Sequence, residues 1–402
     1  MRGVWWLAVG GLGLMTGLPG VAQLAPVTVT ATPVLPSTPK ENGPPLVFYT
    51  GEGQFEIIAT EARAAQQALI MANSVWRALA KPMGLPVAGF SSAVAVRLVP
   101  EKDWTDPAFF TVVAEPGGLV GVRICWGDKM DVRIMRRALV QAVLLRQAVA
   151  WHGAKQGLTV PLWLEQACSA LGEVRDRPAM LDAMQQESAQ LAPPRLEELL
   201  KWERGQAEER GRVLASYWLF QHLQAESGDA PRWGRWVRTI LGGAEPMQTL
   251  QDVYGSDAWK KDPALRELWW QVGFHDERLT STVPLMSMEE TRNWLADRCR
   301  WLAVKGGREQ VLGLDDLWTF RKESWIKTGM VERSQQLQNQ LPRLHPFYKN
   351  AAISMGRMYQ AADKGAEEEF KAAKQALSQD AIDGRELETA TGAALDALEA
   401  RK

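Results

Sequence analysis

The chain has 402 residues, 46% hydrophobic and 23% charged, with 46 basic against 47 acidic side chains and a formal net charge of -1. That composition supports packed globular cores and excludes a disordered chain. The balanced charge gives no bulk attraction for nucleic acid or an anionic lipid surface.

The first element is a targeting segment. Arg2 precedes the uncharged apolar run "VWWLAVGGLGLMTGL" (residues 4–18), and Gly20 and Ala22 supply small residues at the −3 and −1 positions of a signal-peptidase site. A run ended by Pro19 is short for a membrane span. Residues 1–22 therefore read as a cleaved signal peptide, and the mature protein as exported, periplasmic or extracellular. The residue directly after the cut is Gln23, not the cysteine of a lipoprotein anchor, and no later stretch is long and apolar enough to span a bilayer. Residues 23–45 hold six prolines without apolar periodicity, the composition of an extended linker. Cys125, Cys168 and Cys299 are an odd set and too sparse for a disulfide framework. They read as buried small apolar residues, with one bridge at most.

Ordered structure is expected from "LVFYT" (46–50) and "FEIIA" (55–59), two β-rich runs split by glycines. A helix follows, capped by Thr60, with Ala65, Leu69, Ala72, Trp76 and Leu79 on one face. "AVAVRLV" (93–99) reads as a strand, and "FFTVVA" with "VGVRICW" as a hairpin through "EPGGL". From Asp131 to Trp151 the pattern is helical and strongly apolar. "PLWLEQACSAL" (161–171) opens a second helix with Pro161 in its first turn. Further helices are expected over 209–226, "RWGRWVRTILGG" and "DPALRELWWQVG". Strands come first and helices after, an α+β order.

A break falls at "TSTVPLMS" (280–287), after which Ser287 and Glu290 have the spacing of a capping box. The expected division is a domain over 46–279 and a second, all-helical one over 284–402, interrupted at Gly306-Gly307, Pro342, Pro346 and Gly365. Within it, "YKNAAISMGRMYQAADKGAEEEFKAAKQAL" resembles one helical hairpin of a tetratricopeptide-type repeat.

A strand-rich lobe, a helix beginning "ALV", then "PLWLEQACSAL", "ASYWLFQHLQAESGD" and "TILGGAEPMQTLQDVYG" resemble, over roughly residues 46–275, the peptidase-MA-like group of gluzincin metallopeptidases. Active members carry H-E-x-x-H on the first helix, where two imidazoles a turn apart bind zinc and the glutamate takes a proton from metal-bound water. W-L-x-E-G on the second helix supplies the last protein ligand. Laid on this sequence, the resemblance implies a gluzincin-like fold with an emptied site. Gln141 stands at the first histidine, Ala142 at the general base, Leu145 at the second histidine and Gln166 at the metal-binding glutamate, with Ala167 at the glycine. Leucine offers no lone pair, alanine accepts no proton, and neutral amides are poor partners for a divalent ion. No catalytic residue, metal ligand or cofactor is assigned.

One check needs no alignment. The four histidines, His152, His222, His275 and His345, are too far apart for any helix to present a His-His pair. His152 before Gly153 reads as a helix C-terminal residue, favoured by the macrodipole. Arg133, Arg136 and Arg137 read as local pairing partners or snorkelling side chains. The 18 tryptophans are an unusual load. Trp76, Trp163, Trp218 and Trp294 sit on apolar helical faces and read as core. "RWGRW" and "LWW" are the places where sugar-stacking faces would be exposed. No glycine-rich phosphate loop or G-x-S-x-G elbow occurs.

The functional expectation is an exported, catalytically inactive metallopeptidase-like protein that binds a peptide or an envelope protein. Two alternatives stand beside it: an active zinc metallopeptidase with ligands at non-standard positions, and a tryptophan-rich carbohydrate-binding envelope protein.

Overall fold

In a computed structural model the described residues are 46–400, except 51–52, 61, 128–129, 207–208, 229 and 306–307. The signal-peptide and linker readings for 1–22 and 23–45 lie outside them.

Strand alternation builds the first layer. Phe55, Ile57 and Ala59 on β2 (Phe55–Ala59), Val94, Val96 and Leu98 on β3 (Val94–Pro100), and Val120, Val122 and Ile124 on β5 (Val120–Trp126) all point into one core. With β1 (Leu46–Tyr49) and β4 (Phe110–Ala114) they form a five-stranded sheet of order β1-β2-β3-β5-β4. β2, β3 and β5 run parallel, whereas β1 and β4 are antiparallel to their neighbours. The parallel β2–β3 step requires a crossover, supplied by α1 (Ala62–Leu79).

The helices stack outward from the sheet. α1 and α2 (Val132–His152) pack on its strands, and α3 (Leu162–Asp176) packs on both helices. α2 starts where the Asp131 side chain accepts from Arg133 N and stops at Gly153, whose φ of 74° suits glycine. α4 (Ala179–Ser188) and α5 (Leu196–Leu200) lead to α6 (Arg210–Ser227), which lies on α3. α7 (Ala230–Leu241), α8 (Pro246–Val253) and α9 (Asp257–Lys261) precede α10 (Pro263–Thr280), which lies on α6. Trp163 of α3 meets Trp236 of α7 at 5.3 Å, and Trp233 meets Phe220 of α6 at 5.0 Å, so aromatic contacts hold α7 against both helices.

A second cluster of buried apolar side chains runs from Met286 to Leu377, apart from the first, which ends at Phe274. It is built from α11 (Met288–Arg298), β6 (Trp301–Lys305), β7 (Arg308–Leu312), α12 (Leu314–Phe320), α13 (Ser324–Gln340), α14 (Lys349–Lys364) and the long α15 (Glu367–Glu399). The Ser287–Glu290 capping box is present in both directions, and α14 and α15 form a helical hairpin. The expectation of an all-helical second domain is corrected, because β6 and β7 pair antiparallel, from Trp301 opposite Leu312 to Lys305 opposite Arg308. Valines in both strands suit an extended backbone, and the cross-strand partners Trp301 and Leu312 are both buried, which anchors the hairpin to this core. The chain is thus α+β, with a largely helical C-terminal region. No described helix is long and apolar enough to cross a membrane.

Candidate functional site

The four positions singled out in the sequence lie on the two packed helices α2 and α3. Arg137, Gln141 and Leu145 follow one another at i, i+4 and i+8, a single row along α2. Ala142 and Leu145 are buried, Gln141 is half-buried, and Gln166 is buried on α3.

The charge between the helices belongs instead to Glu165, the residue before Gln166. Its carboxylate is wholly buried and accepts from Arg137 Nε at 2.9 Å and from an Arg204 guanidinium N–H. Arg204, beyond α5, also reaches Val160 O at 3.4 Å, so one guanidinium ties that loop to the start of α3. Both carboxylate oxygens of Glu165 are thus engaged by guanidinium groups of the protein itself. Sequence reasoning missed it, because its partners lie 28 and 39 residues away.

The other donors nearby are inert. Cys168, one turn along α3, is fully buried; burial first, and then the Glu165 charge, push its thiol far above the ordinary range, so the thiolate is inaccessible. All three cysteines are unpaired, with Cys125 and Cys168 buried and Cys299 partly so. His152 ends α2 with Nε2 2.8 Å from Arg238 O, a backbone contact in the last helical turn. His222 is buried against Trp269 and lies 3.9 Å from Glu277. His275 is exposed on α10, and His345 receives a backbone N–H from Phe347 at 3.4 Å.

In the arginine cluster Arg133 pairs locally, with Asp131, whereas the local reading is corrected for Arg136 and Arg137, which reach the α3 carboxylates Asp176 and Glu165. Tryptophans mostly fill the core. Trp163, Trp218, Trp236, Trp270 and Trp301 are almost wholly buried, and none with a described side chain is exposed.

The donor set does not fit a zinc ion. Among the described residues no group of three His, Cys, Asp or Glu side chains lies together as a metal would require. Two surface cavities of about 360 Å³ each are lined by mixed charges, one by Arg195, Glu198, Lys201 and Arg212, the other by Asp131, Arg133, Glu173 and Arg177. Neither includes Gln141, Ala142, Leu145 or Gln166.

What remains open is a strand edge. β4 pairs with β5 on one side only, and α2 packs beside it. Cys125 N donates to Phe109 O, so the odd-numbered residues of β4 bond to β5 while Phe110, Val112 and Ala114 direct N–H and C=O groups outward. Phe109 and Val113 are 63% and 56% exposed at this edge. Unpaired groups beside exposed apolar side chains can take an added strand.

No protein-family model matches this chain, and no curated protein matches it.

Proposed function

We propose that this chain is an exported, catalytically inactive relative of the gluzincin metallopeptidases that binds an extended peptide segment, from a substrate-like peptide or an envelope protein, along β4. One observation carries the reading: the open antiparallel edge of the sheet runs beside α2, while the facing residues of α2 and α3 offer no groups for hydrolysis. Three further features support it. A mixed sheet with a crossover helix precedes two packed helices, the order the sequence resemblance implies. Gln141, Leu145 and Gln166 fall on those helices. Arg137 and Arg204 bring positive charge to Glu165 from protein rather than from an ion. Export rests on the N-terminal signal-peptide pattern.

The two alternatives have less behind them. A peptidase with ligands elsewhere needs converging donors, and the described residues bring no three together. Sugar stacking needs exposed indoles, and the described tryptophan side chains are buried or half-buried.

Val112→Pro tests the edge. It deletes an outward N–H without removing a β4–β5 hydrogen bond, which an edge strand tolerates. Peptides selected from a random extended library on the mature protein should lose affinity for Val112→Pro, with circular dichroism and melting midpoint unchanged. Retained affinity in the folded variant would remove β4 as the binding edge.

A further inference from the structure

Several helices end at the junction between the two apolar cores, and each end is finished by a side chain from elsewhere. A helix leaves its last carbonyls without intrahelical partners, and its C-terminus carries partial negative charge. Arg175 of α3 donates to Arg77 O in the last turn of α1 at 2.8 Å. α3 ends in turn on the second core: Gln340 Nε2 donates to Arg175 O at 2.5 Å and to Asp176 O at 2.7 Å, and Arg343 Nη1 donates to Arg175 O. Arg333 of α13 donates to Arg298 O, where α11 ends.

Gln340 and Arg343 are both buried. Arg343 Nε also holds Pro284 O at 3.1 Å, and its own carbonyl accepts from Met286 N at 2.7 Å. One residue therefore touches α3, the connecting segment and the end of α13. Burial first, and then the neighbouring Arg175 charge, push the Arg343 guanidinium down to about 10, so it stays charged at neutral pH and needs these carbonyls. The side chain of Asp176 completes the knot, accepting from Ser74 of α1 at 2.7 Å and from Arg136 of α2 at 2.8 Å.

We infer that the C-terminal region is a clamp on α3, and that the two cores open and close as one cooperative unit through Gln340 and Arg343. Undocking leaves two α3 carbonyls without their caps and takes from the buried guanidinium its acceptor on α3, so neither side separates cheaply. The surface pairs Arg77–Asp297 and Arg175–Glu290 are partly exposed and add little. This inference does not rest on what the β4 edge binds.

Calorimetry and hydrogen exchange on the full chain test it. The wild type should melt in one transition, with α3 amides exchanging only through global opening. Arg343→Lys keeps the charge but cannot reach all its acceptors, and should split the melt in two. It should also speed exchange in the last turn of α3 and across 281–287 at least tenfold, leaving β2 and β3 unchanged. Gln340→Ala is the milder second variant, with the same pattern expected if Arg343→Lys does not fold. Two wild-type transitions, or α3 exchange unmoved in the variant that folds, would overturn the clamp.

Discussion

Arg137 Nε lies 2.9 Å from Glu165 Oε1, joining α2 to α3 with a carboxylate that no solvent reaches. Arg204 takes the other oxygen. Two cations on one buried anion mean that the anion, once removed, leaves like charges facing a neutral group. Glu165→Gln is therefore expected to destabilise the fold by about 3 kcal/mol, the usual cost of breaking a buried pair. Glu165→Leu combined with Arg137→Leu should cost less than the sum of the two single variants, because the pair leaves together. Urea midpoints of the three variants decide this, and additive losses would show that the contact carries no coupling.

Metal chemistry is expected to be absent and restorable. Elemental analysis of the purified mature protein should find no stoichiometric zinc, and a chelator should leave its melting midpoint unchanged. Gln141→His, Ala142→Glu, Leu145→His and Gln166→Glu together should bind one zinc per chain, since i,i+4 histidines on α2 and a glutamate on α3 recreate the required donor set. Zinc in the unmodified protein sinks the inactive reading. A folded quadruple variant that ignores zinc sinks the alignment of these helices with the gluzincin pair.

Much of the scaffold was legible because burial there is periodic. β2, β3 and β5 alternate, and α1, α2 and α6 repeat their apolar residues at helical spacing, so the elements fall where the pattern places them. Ser287 and Glu290 announced a helix start three residues apart, a purely local signal. The β6–β7 hairpin was read as helix because five-residue strands carry few periods to count, and Gly306-Gly307 signals a helix break as readily as a turn. Glu165 was missed for a different reason. Its neighbours in sequence mark an apolar helix, and only the fold brings Arg137 and Arg204 to it.

Acid should loosen the second core through Glu388. The Tyr348 hydroxyl, donating to Oε2 at 2.5 Å, and after it the Arg292 guanidinium at 2.8 Å, hold this carboxyl below its ordinary range. A folded-state pKa below the unfolded value means that the stabilisation is present above the ordinary carboxylate pKa and lost as pH falls through the folded one. Glu388→Gln should lower the urea midpoint at neutral pH and flatten its decline in acid below about pH 4.5. Parallel acid limbs for the two proteins would show that Glu388 titrates as though unfolded.

Gly273 of α10 lies against the imidazole of His222 on α6. A Cβ at 273 would fall 2.3 Å from His222 Cδ2 and Nε2, far inside contact distance. The ring has little room to retreat, since Trp269 packs on it at 4.5 Å and Trp259 backs Trp269 at 4.9 Å. Gly273→Ala must therefore push α10 off α6 or turn the ring, and overpacking of this kind costs about 1–3 kcal/mol. His222→Ala removes the obstacle but leaves a cavity beside Trp269, destabilising by itself. In the double variant the new methyl occupies part of that cavity, so it should be more stable than the two single losses predict. A double-mutant cycle on urea midpoints measures the difference. Strict additivity would mean that α10 relaxes away from α6 without meeting His222, and that the glycine is there for the backbone rather than for the ring.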